Sequence, residues 1–443
     1  MDSYQRAVDY LYQLQWHGIK LGLGNIQQIL KALSDPHQRY RTVHIAGTNG
    51  KGSTAALVAA LLQAQGYRVG LYTSPHLVDF SERIRINGVS ISHDHVAGLT
   101  EKILKLTSAS GGPDSRLALT FFEFTTAMAF LYFAESSVDL AVIEVGMGGR
   151  FDATNVVTPL VSVITNIDYD HQAYLGNSLT QIAFEKAGII KTAVPAVTAV
   201  EDDEALGVIS KACQERGSRL YRLGQDFHID GASEEFTYRG IRHQWPALSL
   251  KLLGRHQLKN AACALAVAEI LSSASGGQGF ELSEASIRKG LRSASWEGRL
   301  EPIETPEGLL ILLDGAHNLS GARVLRDFLL EVKAKRGGRL FLVLGIMRDK
   351  DIPAVLGELV PLADSVVLTR PDYHRAASLS DLEIAARPFD APLTLRQRVS
   401  EAVEFAKSAA HPGDCILITG SLFTVGEARA HLFGLGTPSK VRG

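Results

Sequence analysis

The sequence predicts an α/β protein: a parallel-sheet domain with a phosphate loop and a small antiparallel insert, then a smaller α/β domain. Three observations carry this. Short β-branched apolar runs alternate with helical patterns, the rhythm of βαβ units. A glycine-rich turn, Gly47-Thr48-Asn49-Gly50-Lys51-Gly52-Ser53-Thr54, sits between such a run and a helical pattern. The rhythm changes between 217 and 253 and resumes near 297.

The elements follow in order. Thr42–Ala46 reads as a strand, and an apolar helix runs from Ser53 to about Gln65, closed by Gly66. Val69–Tyr72 is the next strand, and Phe121–Glu135 is aromatic-rich at helical spacing. Asp139–Val145 and Leu160–Ile167 are continuous apolar runs, the mark of strands buried on both faces. Leu220–Leu223, Phe227–Ile229, Glu235–Tyr238 and Ala247–Leu250 are short and separated by Gly or Asp, which predicts the antiparallel insert. Gln257 to about Ser272 is an Ala-rich helix. Leu309–Leu313, Leu340–Leu344, Ser365–Leu368 and Cys415–Thr419 are the strands of the second domain, with helices between them. The Ser/Gly-rich stretches 108–112 and 272–278 read as loops.

Composition narrows the function. The chain has 443 residues, 46% apolar and 21% charged, and a net charge of −2 from 45 Lys+Arg against 47 Asp+Glu. This excludes wholesale disorder and gives no basic field for nucleic acid or anionic lipid. Three widely spaced cysteines, Cys213, Cys263 and Cys415, argue against a disulfide framework or a thiolate zinc site. No apolar run is long enough to span a membrane, and the start Met1–Arg6 shows no signal-peptide pattern. The expectation is a soluble cytoplasmic monomer.

The glycine-rich turn is the first chemical signal. Glycines turn backbone N–H groups toward a phosphate, the helix N-terminus adds its dipole, and Lys51 adds charge. The common P-loop spacing is altered: Ile45 stands at its first glycine, and Gly52 separates Lys51 from Ser53. Glu144 ends an apolar strand, where a carboxylate is costly unless paired or bound to a cation. Ser74 and His171 follow other strand ends. In a parallel sheet these positions face one crevice with the phosphate loop, and oxygen ligands plus phosphates suit Mg²⁺. Singly, Glu144 also reads as a cap or salt-bridge residue, His171 as a loop histidine, and Lys186 as a solvated helix lysine.

Together the motifs resemble the folylpolyglutamate synthase/dihydrofolate synthase family of the Mur ligase superfamily. The carriers are His44–Thr54 (HIAGTNGKGST), Thr73–Leu77 (TSPHL), Ser81–Gly88 (SERIRING), Phe121–Thr125 (FFEFT) and Val142–Asn155 (VIEVGMGGRFDATN). Asp170–Gly176 (DHQAYLG), Glu185–Lys191 (EKAGIIK), Gly254–Ala261 (GRHQLKNA), Trp296–Glu301 (WEGRLE), Asp314–Asn318 (DGAHN) and Thr419–Phe423 (TGSLF) continue the match. Tyr169 stands where Leu is more usual, and Gly24 where an acidic residue is common.

The resemblance implies a P-loop-containing ATPase domain over 1–296, of the Mur ligase central type, and a Rossmann-like glutamate ligase domain over 297–443. It implies ATP-driven addition of L-glutamate to dihydropteroate or reduced folates through an acyl phosphate, in a bifunctional enzyme. A monofunctional polyglutamate synthase is the near alternative. A cell-wall Mur ligase is more distant, since the phosphate loop arrives by residue 47 with no room for an extra N-terminal domain. A regulatory module without catalysis fits poorly with Glu144, His171, Lys186 and Asp314 all present, and a simple kinase leaves the second domain unexplained.

The implied roles fall on named residues. Gly50, Lys51, Gly52 and Ser53 cradle the ATP phosphates, and Asn260, Arg299 and Asp314 contact the nucleotide. Ser74, Glu144 and His171 ligate Mg²⁺. Lys186 matches a lysine that is carbamylated to hold a second Mg²⁺, and K⁺ is a candidate monovalent cofactor. His317 sits near phosphate or glutamate. Ser421 is a glutamate contact or an ordinary turn serine. Gly22, Leu23 and Gly24, in the segment Leu21–Gly24, meet the pterin substrate, as do Phe151, Asp152 and Ala153. Phe122 stacks on the pterin or is a core aromatic. Arg83 and Arg85 meet an anionic tail, unless one of them holds its own loop.

Overall fold

The computed structural model describes residues 2–14, 22–109, 117–273 and 279–436. Its contacts divide into two units. The first comprises Met1–His76, Phe80–Lys251 and Gln257–Ser295; the second comprises Leu77–Asp79, Leu252–His256 and Trp296–Gly443.

The first unit is built on eight strands: β1 (Arg41–Ala46), β2 (Val69–Tyr72), β3 (Ile84–Ile86), β4 (Val89–Ser90), β5 (Leu140–Glu144), β6 (Val161–Ile164), β7 (Ala196–Thr198) and β8 (Leu220–Arg222). Their order is β4-β3-β2-β5-β1-β6-β7-β8. β2, β5, β1, β6, β7 and β8 pair in parallel, and β3 and β4 add an antiparallel hairpin at the β2 edge. Both faces of β1, β5 and β6 are buried, which is why their sequences are continuously apolar.

Two corrections to the sequence reading arise here. Leu220–Arg222 does not belong to the insert; it extends the main sheet, with Ala196 opposite Leu220 and Thr198 opposite Arg222 in parallel register. The insert is the three-stranded antiparallel sheet of β9 (His228–Gly231), β10 (Phe236–Arg239) and β11 (Gln244–Leu248). The hairpin β3–β4 was not anticipated, although its turn Asn87-Gly88 has positive φ at both positions (48° and 78°), the type I′ signature.

The helix over Phe121–Glu135 starts where expected because Thr120 and Glu123 form a capping box, Glu123 N to Thr120 Oγ1 at 3.2 Å and Thr120 N to Glu123 Oε2 at 2.7 Å. Gly66 closes the helix Lys51–Gln65 at φ 107°. Positions 108 and 109 belong to the helix His93–Ala109 and 272 to the helix His256–Ser272, not to loops. The remainder of the first Ser/Gly stretch, and 274–278 of the second, lie outside the described residues, as does Leu21.

The second unit holds β12 (Glu301–Glu304), β13 (Leu310–Leu313), β14 (Leu340–Leu344), β15 (Ser365–Leu368), β16 (Leu393–Leu395) and β17 (Cys415–Thr419), in the order β12-β13-β17-β14-β15-β16. All are parallel except the edge strand β12. Of the two edge strands, β12 (Glu301-Pro302-Ile303-Glu304) is too polar and β16, at three residues, too short to announce itself. No helix among the described residues is long and apolar enough to cross a membrane.

Candidate functional site

The phosphate loop leaves β1 at Gly47, and the segment after β6 shapes it. Thr48 N donates to Asn166 O at 2.9 Å, Asn49 N to Asn166 Oδ1 at 2.7 Å, and Thr165 Oγ1 to Asn49 O at 2.6 Å. Thr48 Oγ1 donates to Asp168 O at 3.0 Å. Gly47 must lack a side chain, since a Cβ there would lie 1.9 Å from Thr165 Oγ1. Gly50 has φ 81°, and its Cβ would fall 2.4 Å from Asn260 Oδ1. Asn260 is thus seated on the loop from a distant helix. Its Nδ2 donates to Gln257 Oε1 at 2.8 Å, and Gln257 Nε2 donates to Ser53 Oγ at 3.3 Å.

Two lysines share one carbonyl. Lys51 Nζ donates to Gly47 O at 3.1 Å and to Thr48 O at 3.0 Å; Lys186 Nζ donates to the same Gly47 O at 2.8 Å. Lys186 is buried, and burial followed by repulsion from Lys51 lowers its pKa from 10.5 to about 7, with Asp170 and Asp152 opposing. The expectation of a solvated helix lysine is therefore replaced by a buried amine whose charged form is disfavoured.

Glu144 is the last residue of β5, and Ser74 and His171 lie in the chain that follows β2 and β6. Ser74 N donates to Glu144 Oε2 at 3.2 Å, and Glu144 is buried. His171 is more open: it has φ 51°, its side chain is 42% exposed, and Nε2 lies 3.9 Å from Asp170 Oδ2. Among the described residues no cluster of three or more His, Cys, Asp and Glu could hold a metal unaided. A buried carboxylate at a strand end, held by the Ser74 backbone N–H, nonetheless suits Mg²⁺, a cation that takes oxygen ligands.

The expected folate residues occupy several environments. Gly22 and Gly24 have open space where a Cβ would go, and Leu23 precedes the helix Gly24–Ala32. Phe122 is half-buried; its ring lies across Gly146, where a Cβ would approach Cζ to 2.5 Å, and 6.1 Å from the Tyr72 ring. Phe151 is partly exposed, with the Arg150 guanidinium 4.3 Å from its centroid. Asp152 is buried and accepts from Met147 N and Thr154 N, each at 3.0 Å, and Ala153 is buried beside it. Arg83 is buried too, its Nε donating to His76 Nδ1 at 2.8 Å and its guanidinium 5.1 Å from the Phe121 ring. Arg85 Nε donates to Glu82 O at 3.1 Å, three residues back in its own loop.

In the second unit Asp314 Oδ2 accepts from Leu300 N at 2.9 Å and Oδ1 from Ala316 N at 2.8 Å. Arg299 Nη1 donates to Gly298 O at 3.1 Å and lies over Gly315, whose Cβ would come within 2.4 Å of it. His317 Nδ1 donates to Gly315 O at 2.8 Å. Ser421 is buried and caps the helix Leu422–Phe433: its hydroxyl accepts from Thr424 N at 3.1 Å and donates to Gly345 O at 3.0 Å.

Sequence reasoning missed several participants. Thr165, Asn166 and Gln257 shape the loop, and only their nearness to a strand end or helix start hinted at it. His256 is buried near Asp314 and Arg299, and burial pushes its pKa down to about 4 against the pull of Asp314. Arg150 and Glu185 form an ion pair of 2.6 Å next to Lys186.

Comparison with known proteins adds to this geometry. Residues 45–268 match the Mur ligase middle domain, and residues 298–422 match the Mur ligase glutamate ligase domain. A dihydrofolate synthase/folylpolyglutamate synthase of Bacillus subtilis is 36% identical over 440 residues, covering 97% of this chain and 99% of that protein. The structure of Mycobacterium tuberculosis folylpolyglutamate synthase complexed with ADP superposes with a TM-score of 0.88 at 33% identity, covering 98% of this chain and all of the other. A bifunctional folylpolyglutamate synthase/dihydrofolate synthase with Mn, AMPPNP and L-glutamate bound gives a TM-score of 0.84 at 32% identity, covering 96% and 98%.

Proposed function

The chain belongs to the folylpolyglutamate synthase/dihydrofolate synthase family of Mur-type ligases, and from that premise we propose that it joins L-glutamate to folates with ATP, acting on both dihydropteroate and tetrahydrofolate. The observation that carries this reading is the shared Gly47 carbonyl, which sets the buried Lys186 at 2.8 Å and Lys51 at 3.1 Å from one atom of the phosphate loop.

A carboxylate is a poor electrophile because expelling oxide is prohibitive. Its oxygen attacks the γ-phosphorus of ATP, ADP leaves, and the acyl phosphate now carries a competent leaving group. The amine of L-glutamate attacks the acyl carbon, phosphate departs, and the amine loses a proton. Negative charge gathers on the transferring phosphoryl group, so cations and backbone dipoles supply most of the catalysis. Lys51, the amides of Gly50–Ser53 and the start of the helix Lys51–Gln65 meet the phosphates, with Asn260 beside them. Ser74, Glu144 and His171 would hold Mg²⁺, which would supply positive charge against the phosphate oxygens. The unprotonated Lys186 amine is the form that could add CO₂, forming an N–C bond and releasing a proton, and the resulting carbamate would supply an anionic oxygen for a second Mg²⁺. K⁺ remains a candidate monovalent cofactor in this reading.

We assign the ATP phosphates and folate binding to 1–296 and glutamate binding to 297–443. Arg299 and Asp314 serve the nucleotide and His317 the phosphate or glutamate. Ser421 contributes to the glutamate pocket through the backbone it caps. Phe122, Phe151, Asp152, Ala153, Arg83 and the Gly22–Gly24 turn serve the folate. The protein acts as a cytoplasmic monomer with no nucleic-acid partner. The test is glutamate-dependent phosphate release with Mg·ATP, run in parallel with 7,8-dihydropteroate and tetrahydrofolate. Release with both is expected. Release with tetrahydrofolate alone selects the monofunctional alternative. Release without glutamate, or with neither substrate, refutes the assignment.

A further inference from the structure

We propose that His44 is a positioning residue for the folate-side turn, acting through Thr154 on Asp152. The inference rests on the reading that Phe151–Ala153 meets the folate.

His44 lies in the middle of β1, fully buried, three residues before the phosphate loop begins at Gly47. Its Nε2 is 2.8 Å from Thr154 Oγ1. Thr154 Oγ1 in turn donates to Asp152 Oδ1. A threonine hydroxyl has one proton. Since that proton goes to the carboxylate, Thr154 Oγ1 can only accept from the ring, and His44 carries its proton on Nε2. The chain therefore has one direction: His44 Nε2–H to Thr154 Oγ1–H to Asp152 Oδ1. His44 Nδ1, buried and without a hydrogen-bond partner, agrees with this tautomer, because it is left as a bare lone pair. Burial, aided by Lys191, drops the ring pKa to about 3, so the imidazole stays neutral throughout the working range.

The far end of the chain does the positioning. Asp152 Oδ2 accepts from Met147 N at 3.0 Å, in the turn that directly follows Glu144, and Oδ1 accepts from Thr154 N at 3.0 Å. One carboxylate thus fixes the turn behind the metal-side Glu144 and the short helical turn Ala153–Val156, with the exposed Phe151 next to it. An unsatisfied ring nitrogen in a buried strand is unfavourable. A leucine or isoleucine would serve a purely packing role at this position better. Histidine supplies the one thing they lack, a fixed donor that stops the Thr154 hydroxyl from rotating away from Asp152.

Thr154→Val removes the relay and keeps the side-chain volume; Thr154→Ser keeps the hydroxyl; His44→Leu removes the donor. Each is measured for folate and ADP dissociation constants by calorimetry and for the KM of folate and ATP. Thr154→Val and His44→Leu should each weaken folate binding tenfold or more, with ADP affinity and ATP KM changed less than twofold. Thr154→Ser should stay within threefold of wild type. The double variant His44→Leu/Thr154→Val should be no worse than the poorer single one. The proposal is overturned if ADP affinity falls as far as folate affinity, if the serine variant is as damaged as the valine variant, or if the two losses multiply. An inactive wild type would instead count against the assigned reaction; an active wild type with indifferent variants counts against the relay alone.

Discussion

Replacing Lys186 with methionine should make the protein more stable at slightly acidic pH while removing its activity. The amine titrates at about 7 in the folded protein against an ordinary 10.5. At 1.36 kcal/mol per pH unit, holding the charged form in place costs the folded state on the order of 5 kcal/mol. The sign follows from proton counting. Between pH 7 and 10.5 the unfolded chain binds the proton that the folded protein has lost, so stability rises with pH across that window. The penalty is complete below pH 7 and vanishes above 10.5. Methionine is of similar length and carries no charge. It also orphans no acceptor, because Gly47 O keeps Lys51 Nζ at 3.1 Å, and it frees Lys51 from a like charge. Allowing about 1 kcal/mol for the lost hydrogen bond, the variant should be more stable than wild type by roughly 3–4 kcal/mol at pH 6.5. The advantage should be largely gone by pH 10. Urea denaturation of both proteins in CO₂-free buffer at the two pH values measures it. A stability difference that is equal at both pH values, or a variant less stable at pH 6.5, refutes the claim that Lys186 is a buried amine under electrostatic load.

Other perturbations test neighbouring parts of the argument. Gly50→Ala pushes a Cβ to 2.4 Å from Asn260 Oδ1 at a positive φ, so ADP affinity should fall at least tenfold by calorimetry. Glu269→Ala leaves four donors without their acceptor, the Tyr238 hydroxyl and the amides of Ile241, Arg242 and His243. Hydrogen exchange over 228–248 should rise by a factor equivalent to about 3 kcal/mol or more, with the phosphate loop unchanged. Chelation of divalent cations should abolish phosphate release, and Glu144→Gln should raise the Mg²⁺ concentration needed to restore it at least tenfold.

What the sequence made legible was local. The strand before Gly47, the helix after it and the capped helix Phe121–Glu135 are each written within a dozen residues, in apolar period, glycine placement and cap chemistry. Pairing between distant segments was not. Leu220–Arg222 has the same short apolar look whether it joins an insert or extends a parallel sheet, and only its register with Ala196–Thr198 decides. Lys186 is the clearest case. On its own helix it is one more lysine, and its unusual charge state comes from an acceptor 139 residues away in the chain. The motif glycines supply the missing link. A Cβ on Gly149 would lie 2.8 Å from Glu185 O and 2.9 Å from Lys186 O. Arg150 N donates to Glu185 O at 2.8 Å, and Asn155 Nδ2 reaches Gly188 O at 3.2 Å. The run Gly146–Asn155 therefore does more than turn the chain after Glu144. It is the surface on which the lysine helix closes, and a bulkier residue at 149 would lift that helix away and return Lys186 to water and to an ordinary pKa.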